Sequence, residues 1–317
     1  MVLENRKPAI TIYNPCNEIT RYYRNYNYFW DYFTEYLKKH FEVTENRYFE
    51  NAHCERWKVN LQKNISDNVL VLDCEYIIEN NETGEFHVIS VSDTLTHASL
   101  NERANPYCKS VLVSQFHPET IKNHVNNYFF KYKPWLYFQA LFSNLDLYYI
   151  KRKSIVNKVD TLFFKGTSLQ DRTFLTHLNK DYVSDFNPIS PDNYFNELIK
   201  HKLAISIDGR GEFCYRDVEC FGVGVPIIRY EFESVFHEPL IPNYHYISIP
   251  RPNDMKLYRL GTKEHADKFM DKYFEVINNE ELLNFISKNA REYYERNFTY
   301  DNICKITHRS LNLDAWL

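Results

Sequence analysis

Glycine is scarce in this chain, at 7 of 317 residues where ordinary usage gives about 22. That excludes collagen-like, linker-like and low-complexity readings. No run of 18 apolar residues occurs, so no membrane-spanning helix is expected. The first residues, Met1 to Pro8, contain no apolar stretch of the kind a secretory signal needs, and none is expected. The seven cysteines (16, 54, 74, 108, 214, 220 and 304) are odd in number, scattered and without a Cys-x-x-Cys pair. This pattern points to a reducing compartment, read as the cytoplasm, and away from a zinc site. Strong charge of either sign is lacking too. A net charge of −4 and a pI near 6.3 exclude nucleic-acid binding driven by bulk electrostatics. There is no Gly-x-Ser-x-Gly nucleophile elbow and no Gly-x-Gly-x-x-Gly fingerprint. There is also no Asp-x-Asp, the nearest approach being Asp73-Cys-Glu75, so clustered carboxylates for a metal-held diphosphate are absent and no metal or cofactor is expected.

What the chain has in excess is aromatic side chains, 17% of residues with 26 Tyr and 23 Phe, within an ordinary globular balance of 44% hydrophobic and 25% charged. The length suggests about two domains. Short β-branched or aromatic runs predict strands at 9–13, 69–72, 87–91, 110–113, 147–150, 161–164, 203–207, 225–228 and 246–249. Helical periodicity predicts helices at 28–41, 118–128, 169–178, 191–201, 215–221, 264–278 and 280–297. Alternating strands and helices imply an α/β class with parallel sheets covered by helices. A basic stretch at 128–157, with Lys131, Lys133, Lys151, Arg152 and Lys153, sits near the middle. The boundary is placed there, giving domains 1–155 and 156–317. Open α/β sheets bind ligands beyond the carboxyl ends of their strands.

Four of the seven glycines fall between Gly209 and Gly224, and Gly166 opens a second loop. A chain so sparing of glycine is expected to keep it where a left-handed backbone or a ligand excludes a side chain. The first segment, Asp208-Gly-Arg-Gly211-Glu-Phe213-Cys-Tyr-Arg216, reads as a strand, a glycine turn and a helix with an arginine on its first turn. The second, Phe164-Lys165-Gly166-Thr167-Ser168 followed by Arg172, repeats that plan with hydroxyl caps. A helix start with a forked cation beside it is a site for a diphosphate. Each loop alone is also an ordinary βα connection with a solvent-facing Arg.

Together these residues resemble the protein O-glucosyltransferase and capsule-associated glycosyltransferase family. Phe164-Lys-Gly…Arg172 is similar to its aromatic-Arg-Gly…Arg motif, with Lys165 where Arg is usual. Asp208-Gly-Arg-Gly211…Arg216 resembles its Asp-Gly-x-Gly…Ser-x-Arg motif, with Cys214 in the Ser place. Leu240-Ile-Pro242-Asn-Tyr-His245-Tyr246 resembles its Leu-x-Pro-x-x-His-Tyr strand, and the helix at Asn289–Tyr294 and the segment 300–311 also fit. The resemblance covers about 160–310. It implies two Rossmann-like domains of the GT-B type facing each other across a cleft, with C-terminal helices packing back. The first would take the acceptor and the second a nucleotide-sugar, usually a UDP-sugar serving as co-substrate. It further implies inverting, metal-independent transfer to an acceptor hydroxyl. Lys165, Gly166, Thr167, Ser168, Arg172, Asp208, Gly209, Gly211, Phe213, Arg216 and His245 become the donor-binding candidates.

Inversion needs one general base. Asp93, just after the strand at 87–91, is the first candidate, because an Asp in a comparable place is the family's base; Leu95 stands where that family has Pro. Asp73 and Glu75, after the strand at 69–72, are its rivals. Tyr26 and Trp30, with His97 and His117, are acceptor-binding candidates, since sugar faces pack on aromatic rings; the aromatics read equally as a core-facing helix stripe. The expected acceptor is a glycan or lipid-linked saccharide, with peripheral membrane contact allowed by either. Two alternatives stand beside this reading: transfer to a hydroxymethylated DNA base, using the basic stretch at 131–153, and a degenerate protein that binds a nucleotide-sugar or glycan without turnover.

Overall fold

The computed structural model describes residues 6–14, 24–47, 75–90, 108–113, 130–132, 145–165, 175–187, 189–208, 212–252 and 263–317. The chain divides into two compact units. Unit 1 takes Met1–Leu141, Ser234–His237 and Thr299–Leu317; unit 2 takes Phe142–Glu233 and Glu238–Phe298.

Unit 1 is built on strands β1 (Ala9–Asn14), β2 (Glu42–Arg47), β3 (Glu75–Asn80), β4 (Phe86–Ser90), β5 (Cys108–Val113) and β6 (Phe130–Tyr132), ordered β2-β1-β3-β4-β5-β6. The sheet is mixed. β3 runs antiparallel to both neighbours, while the other pairings are parallel. This corrects the expectation of a wholly parallel sheet. A short β3–β4 hairpin inverts one strand, and Gly84 at φ 70 supplies the left-handed residue of its turn. Helix α1 (Arg24–Lys38) buries Phe33 and Leu37, a helical i, i+4 pair.

In unit 2 the elements are α2 (Leu145–Lys153), α3 (Pro191–Leu198), β7 (Ala204–Ile205), α4 (Tyr215–Val223), β8 (Ile227–Tyr230), β9 (Ile247–Ile249), α5 (Lys263–Val276) and α6 (Glu280–Asn297). The C-terminal α7 (Tyr300–Leu311) groups with unit 1. β7, β8 and β9 pair in parallel. The sheet extends through parallel bridges from Phe163 to Ala204 and from Leu162 to Val183. Backbone bonds from Ile205 N to Phe163 O (3.0 Å) and from Ser184 N to Leu162 O (2.9 Å) carry that extension. In chain order the five segments therefore lie 2-1-3-4-5, segment 1 being the stretch at 162–163. The strands are short continuous apolar runs buried on both faces, as β8 is along its whole length. α5 closes one face with Ala266, Phe269, Met270, Tyr273 and Val276, spaced for one helical stripe.

The expected strand at 147–150 is instead the middle of α2. Its Leu-Tyr-Tyr-Ile composition favours a strand locally, but tertiary contacts decide. Leu145 packs where a Cβ on Gly222 would come within 2.5 Å of its Cδ1. Arg152 donates to the carbonyls of Ile199 (2.7 Å), His201 (2.6 Å) and Gly224 (3.0 Å). The strand expected at 69–72 and the helix at 118–128 lie outside the described residues, and only 175–178 of the helix expected at 169–178 is described, with a short 3-10 turn at 175–177.

Candidate diphosphate crevice

An order of 2-1-3-4-5 creates a switch point between segments 1 and 3, where successive connections leave in opposite directions and a ligand crevice opens beyond the carboxyl ends. Lys165 ends segment 1 and Asp208 follows β7 on the other side of that point. Arg216, on the first turn of α4, spans it. Its guanidinium donates to the Lys165 carbonyl and lies 4.0 Å from the centre of the Phe164 ring. Burial opposes the charge on Arg216, but the Tyr194 oxygen, Glu219 and Cys220 outweigh it and raise its pKa. Its Nε is buried without a hydrogen-bond partner. Lys165 is 8% exposed and reaches Asp185 at 2.5 Å. The Arg216 guanidinium thus sits against the Lys165 backbone, while the Lys165 ammonium is turned to Asp185; the second arginine of the expected pair, Arg172, lies outside the described residues.

Asp208 does something else. Its carboxylate is shared between Arg229 (3.2 Å) and Arg251 (2.9 Å). Arg229, fully buried in β8, also meets Asp217 at 2.7 Å and donates to the Glu212 carbonyl at 2.9 Å. Arg251 adds Glu212 at 3.0 Å, and that carboxylate also accepts the Glu233 N–H at 2.5 Å. Three carboxylates and two guanidiniums form one buried network beneath the crevice. Burial is the largest influence on Asp208 and raises its pKa against the pull of both arginines. The network therefore fixes the backbone at 208 and 212, on either side of Gly209 and Gly211.

The N-terminus of α4 is capped from within: Asp217 accepts the Cys214 N–H at 2.6 Å, and the Cys214 thiol donates to the Ile207 carbonyl at 3.2 Å. The anion-attracting charge of this site therefore rests on Lys165 and Arg216 more than on free helix amides. Two of the clustered glycines serve packing. Gly222 lies inside α4 against Leu145 and Tyr294, and Gly224 is the left-handed cap at φ 71. Both fit the expectation that glycine is kept where a side chain is excluded, Gly224 by its left-handed backbone and Gly222 by its neighbours.

Phe213 is 3% exposed and packs on Phe298 and Phe232, 5.8 and 5.6 Å between centres, as part of the core. His245 precedes β9, at the end of that strand away from the crevice. Its Nδ1 accepts the Ile241 N–H at 2.9 Å, and burial lowers its pKa to about 4. It is a neutral turn anchor, and the crevice end of β9 carries Arg251 instead. Gly166, Thr167, Ser168, Arg172, Gly209 and Gly211 lie outside the described residues.

In unit 1, Asp93, Asp73, His97 and His117 are likewise outside the described residues. Glu75 opens β3 rather than ending a strand, and pairs in register with Ser90, the last residue of β4. Because β3 is inverted, Glu75 still lies at the carboxyl end of β4. Tyr26 and Trp30 lie on α1. Of the basic stretch, Arg152 is buried and spent on three carbonyls, Lys151 and Lys153 are exposed, and Lys133 lies outside the described residues.

Arg229, Arg251, Glu212, Asp217, Glu219 and Tyr194 were not sequence candidates. Arg229 carries a signal: a lone cation in an apolar run that reads as a buried strand must have buried partners. Which partners they are depends on strand order.

No family model matches the chain, and no curated protein matches it. Solved structures to which the chain is similar include a glycosyltransferase from Rickettsia africae, 14% identical with a TM-score of 0.37 over 66% of this chain and 62% of that one. TarM is 13% identical with a TM-score of 0.41, over 67% and 45% of the two chains. Anabaena Alr3699/HepE in complex with UDP and glucose is 11% identical with a TM-score of 0.44, over 69% of each. The chain thus spans less than two thirds of the Rickettsia protein and under half of TarM. At these scores the likenesses assign no activity to this chain. Among the described residues no helix is long and apolar enough to cross a membrane.

Proposed function

We propose that this chain is a glycosyltransferase of the two-domain GT-B type, moving a sugar such as glucose or xylose from a UDP-sugar to an acceptor hydroxyl with inversion and without a metal. The acceptor in this reading is a glycan or a lipid-linked saccharide. One observation supports it: at the switch point of the parallel sheet in unit 2, Arg216 donates to the carbonyl of Lys165, and in this reading the two side chains are the cations that a diphosphate would meet. In the transfer, a unit 1 carboxylate, Asp93 or its rivals Asp73 and Glu75, removes the acceptor hydroxyl proton. The acceptor oxygen then attacks the anomeric carbon from the face opposite the nucleotide. The bond from that carbon to the β-phosphate oxygen breaks, and its electron pair stays with UDP. Arg216 and Lys165 stabilise the leaving diphosphate in the place a metal would otherwise take.

Thermal shift with UDP, UDP-glucose and a panel of other nucleotide-sugars, with and without EDTA, tests the donor site. A ligand at about 100 times its Kd adds roughly 2.7 kcal/mol. The expected result is a shift from one UDP-sugar that EDTA leaves intact and Arg216→Lys largely removes, each variant being compared with its own ligand-free melting point. A panel in which no nucleotide shifts the wild type rejects the reading.

A further inference from the structure

Five strand ends lie on the crevice side of unit 2: Lys165 ends segment 1, Asp208 follows β7, Glu231 follows β8 and Arg251 follows β9. The fifth, segment 2, runs through Val183 beside segment 1 and delivers Asp185, twenty residues beyond Lys165. Asp185 is held in an ordered position. Its Oδ1 accepts from Lys165 Nζ at 2.5 Å and from the Asn187 N–H at 2.9 Å, yet the side chain is 65% exposed. Those two donors, the Lys165 ammonium first, keep its carboxyl below the usual range, so it is an anion at neutral pH. An ordinary surface ion pair would leave both partners solvated. Here the lysine side chain is 8% exposed and the aspartate 65%.

An exposed, fixed carboxylate beside a diphosphate-binding cation offers acceptors to the two hydroxyls of a ribose. A carboxylate at the end of the second strand, about 20 residues past the phosphate loop, meets the ribose in other nucleotide-binding α/β sheets. Among the described residues, the buried carboxylates near the crevice are occupied. Asp208, Glu212 and Asp217 are taken by Arg229 and Arg251. Glu219 is buried and accepts the Tyr194 hydroxyl at 2.5 Å. Glu231, beyond β8, lies on the far side of segment 3 from Lys165.

We propose that Asp185 is the ribose-binding residue of the nucleotide site, accepting the 2′- and 3′-hydroxyls of a nucleoside diphosphate whose phosphates lie on Lys165 and Arg216. This assignment rests on the donor-site reading above and adds what recognises the sugar of the nucleotide.

Calorimetric titration of the full chain with UDP, 2′,3′-dideoxy-UDP and inorganic pyrophosphate tests it. Wild type is expected to prefer UDP over the dideoxy analogue by about tenfold or more, as charge-assisted bonds to two hydroxyls allow. In Asp185→Ala and Asp185→Asn that preference falls to within about twofold while pyrophosphate binding is not weakened. Both variants alter an exposed side chain, and an unchanged urea midpoint verifies that they fold. If UDP binds and its preference survives in both, or is lost only in a parallel Glu231→Ala, the ribose assignment is overturned and the donor site stands. If neither UDP nor pyrophosphate binds the wild type, the donor site falls and takes the assignment with it.

Discussion

Unit 1 and unit 2 bury polar groups in different ways. In unit 1 the buried polar contacts include pairs across neighbouring elements: Tyr13 to Glu79 at 2.7 Å, Thr34 to Tyr76 at 2.8 Å, and His87 to Ser110 at 2.7 Å. Each joins two side chains through one bond, and burial with the Glu79 contact pushes the Tyr13 phenol well up. Unit 2 buries guanidinium groups instead. Arg229 and Arg251 hold three carboxylates, while Arg152 and Arg291 take the carbonyls of Gly224 and Gly222 at the end of α4. A single side-chain bond such as that between Thr34 and Tyr76 can be exchanged for an apolar contact at small cost when both partners are replaced, whereas a charge network fails when one member leaves. Charge is thus concentrated around α4, the helix that bears Arg216. Its N-terminal turn carries Asp217, and its C-terminal carbonyls face cations, an arrangement that complements the helix dipole at both ends.

The contrast is broken or sharpened most by Arg229→Met. Removing that cation leaves Asp208 and Asp217 buried without their shared partner, and the expected loss is about 3–5 kcal/mol, read from urea unfolding. Pairing it with Asp217→Asn should recover part of the loss. A change below about 1 kcal/mol would mean that water reaches the network, and the two units would no longer differ. Acid gives the next effect. His245 titrates near 6.5 when unfolded and about 4 when folded, so the unfolded chain binds the proton first as pH falls. Its contribution is fully present above pH 6.5 and is lost as pH falls through 4, to a limit of roughly 3 kcal/mol. Comparing wild type with His245→Asn across that window isolates it, since Asn keeps an acceptor for the Ile241 N–H; parallel curves for the two proteins would refute it. Tyr13→Phe is the smallest. It removes one hydroxyl from Glu79, itself 8% exposed, and should cost about 1 kcal/mol. A loss as large as that at Arg229 would place a comparable network in unit 1.

The periodic elements are legible in the sequence alone. β1, β4, β5, β8, β9, α1, α5 and α6 fall where apolar alternation or helical spacing places them. β2 is not, because Glu-Val-Thr-Glu-Asn-Arg carries one large apolar residue and is a strand by virtue of its pairing with β1. α2 was misread because aromatic and β-branched residues look like a strand until Leu145 and Arg152 find their partners on α4 and α3. At the site, Lys165, Asp208 and Arg216 were visible through the glycines beside them. Their different roles were not, since Asp208 is committed to Arg229 and Arg251 by the order of β7, β8 and β9. The same order puts Arg251, and not His245, at the crevice end of β9. Asp185 had no motif at all; only the bridge from Leu162 to Val183 brings it beside Lys165.

The way the chain is shared between the units has a consequence for biosynthesis. Unit 1 supplies the opening strands but also takes Thr299–Leu317. Tyr32 on α1 bonds to Asp301 at 2.8 Å and stacks on Tyr300, and His87 packs 4.8 Å from Trp316. Domains generally fold as they emerge, the N-terminal one first. Here the unit whose strands emerge first waits for α7, whereas unit 2 has all its residues once Phe298 has left the ribosome. The later-made unit can therefore be complete first, before Thr299–Leu317 reaches Tyr32 and His87 of unit 1.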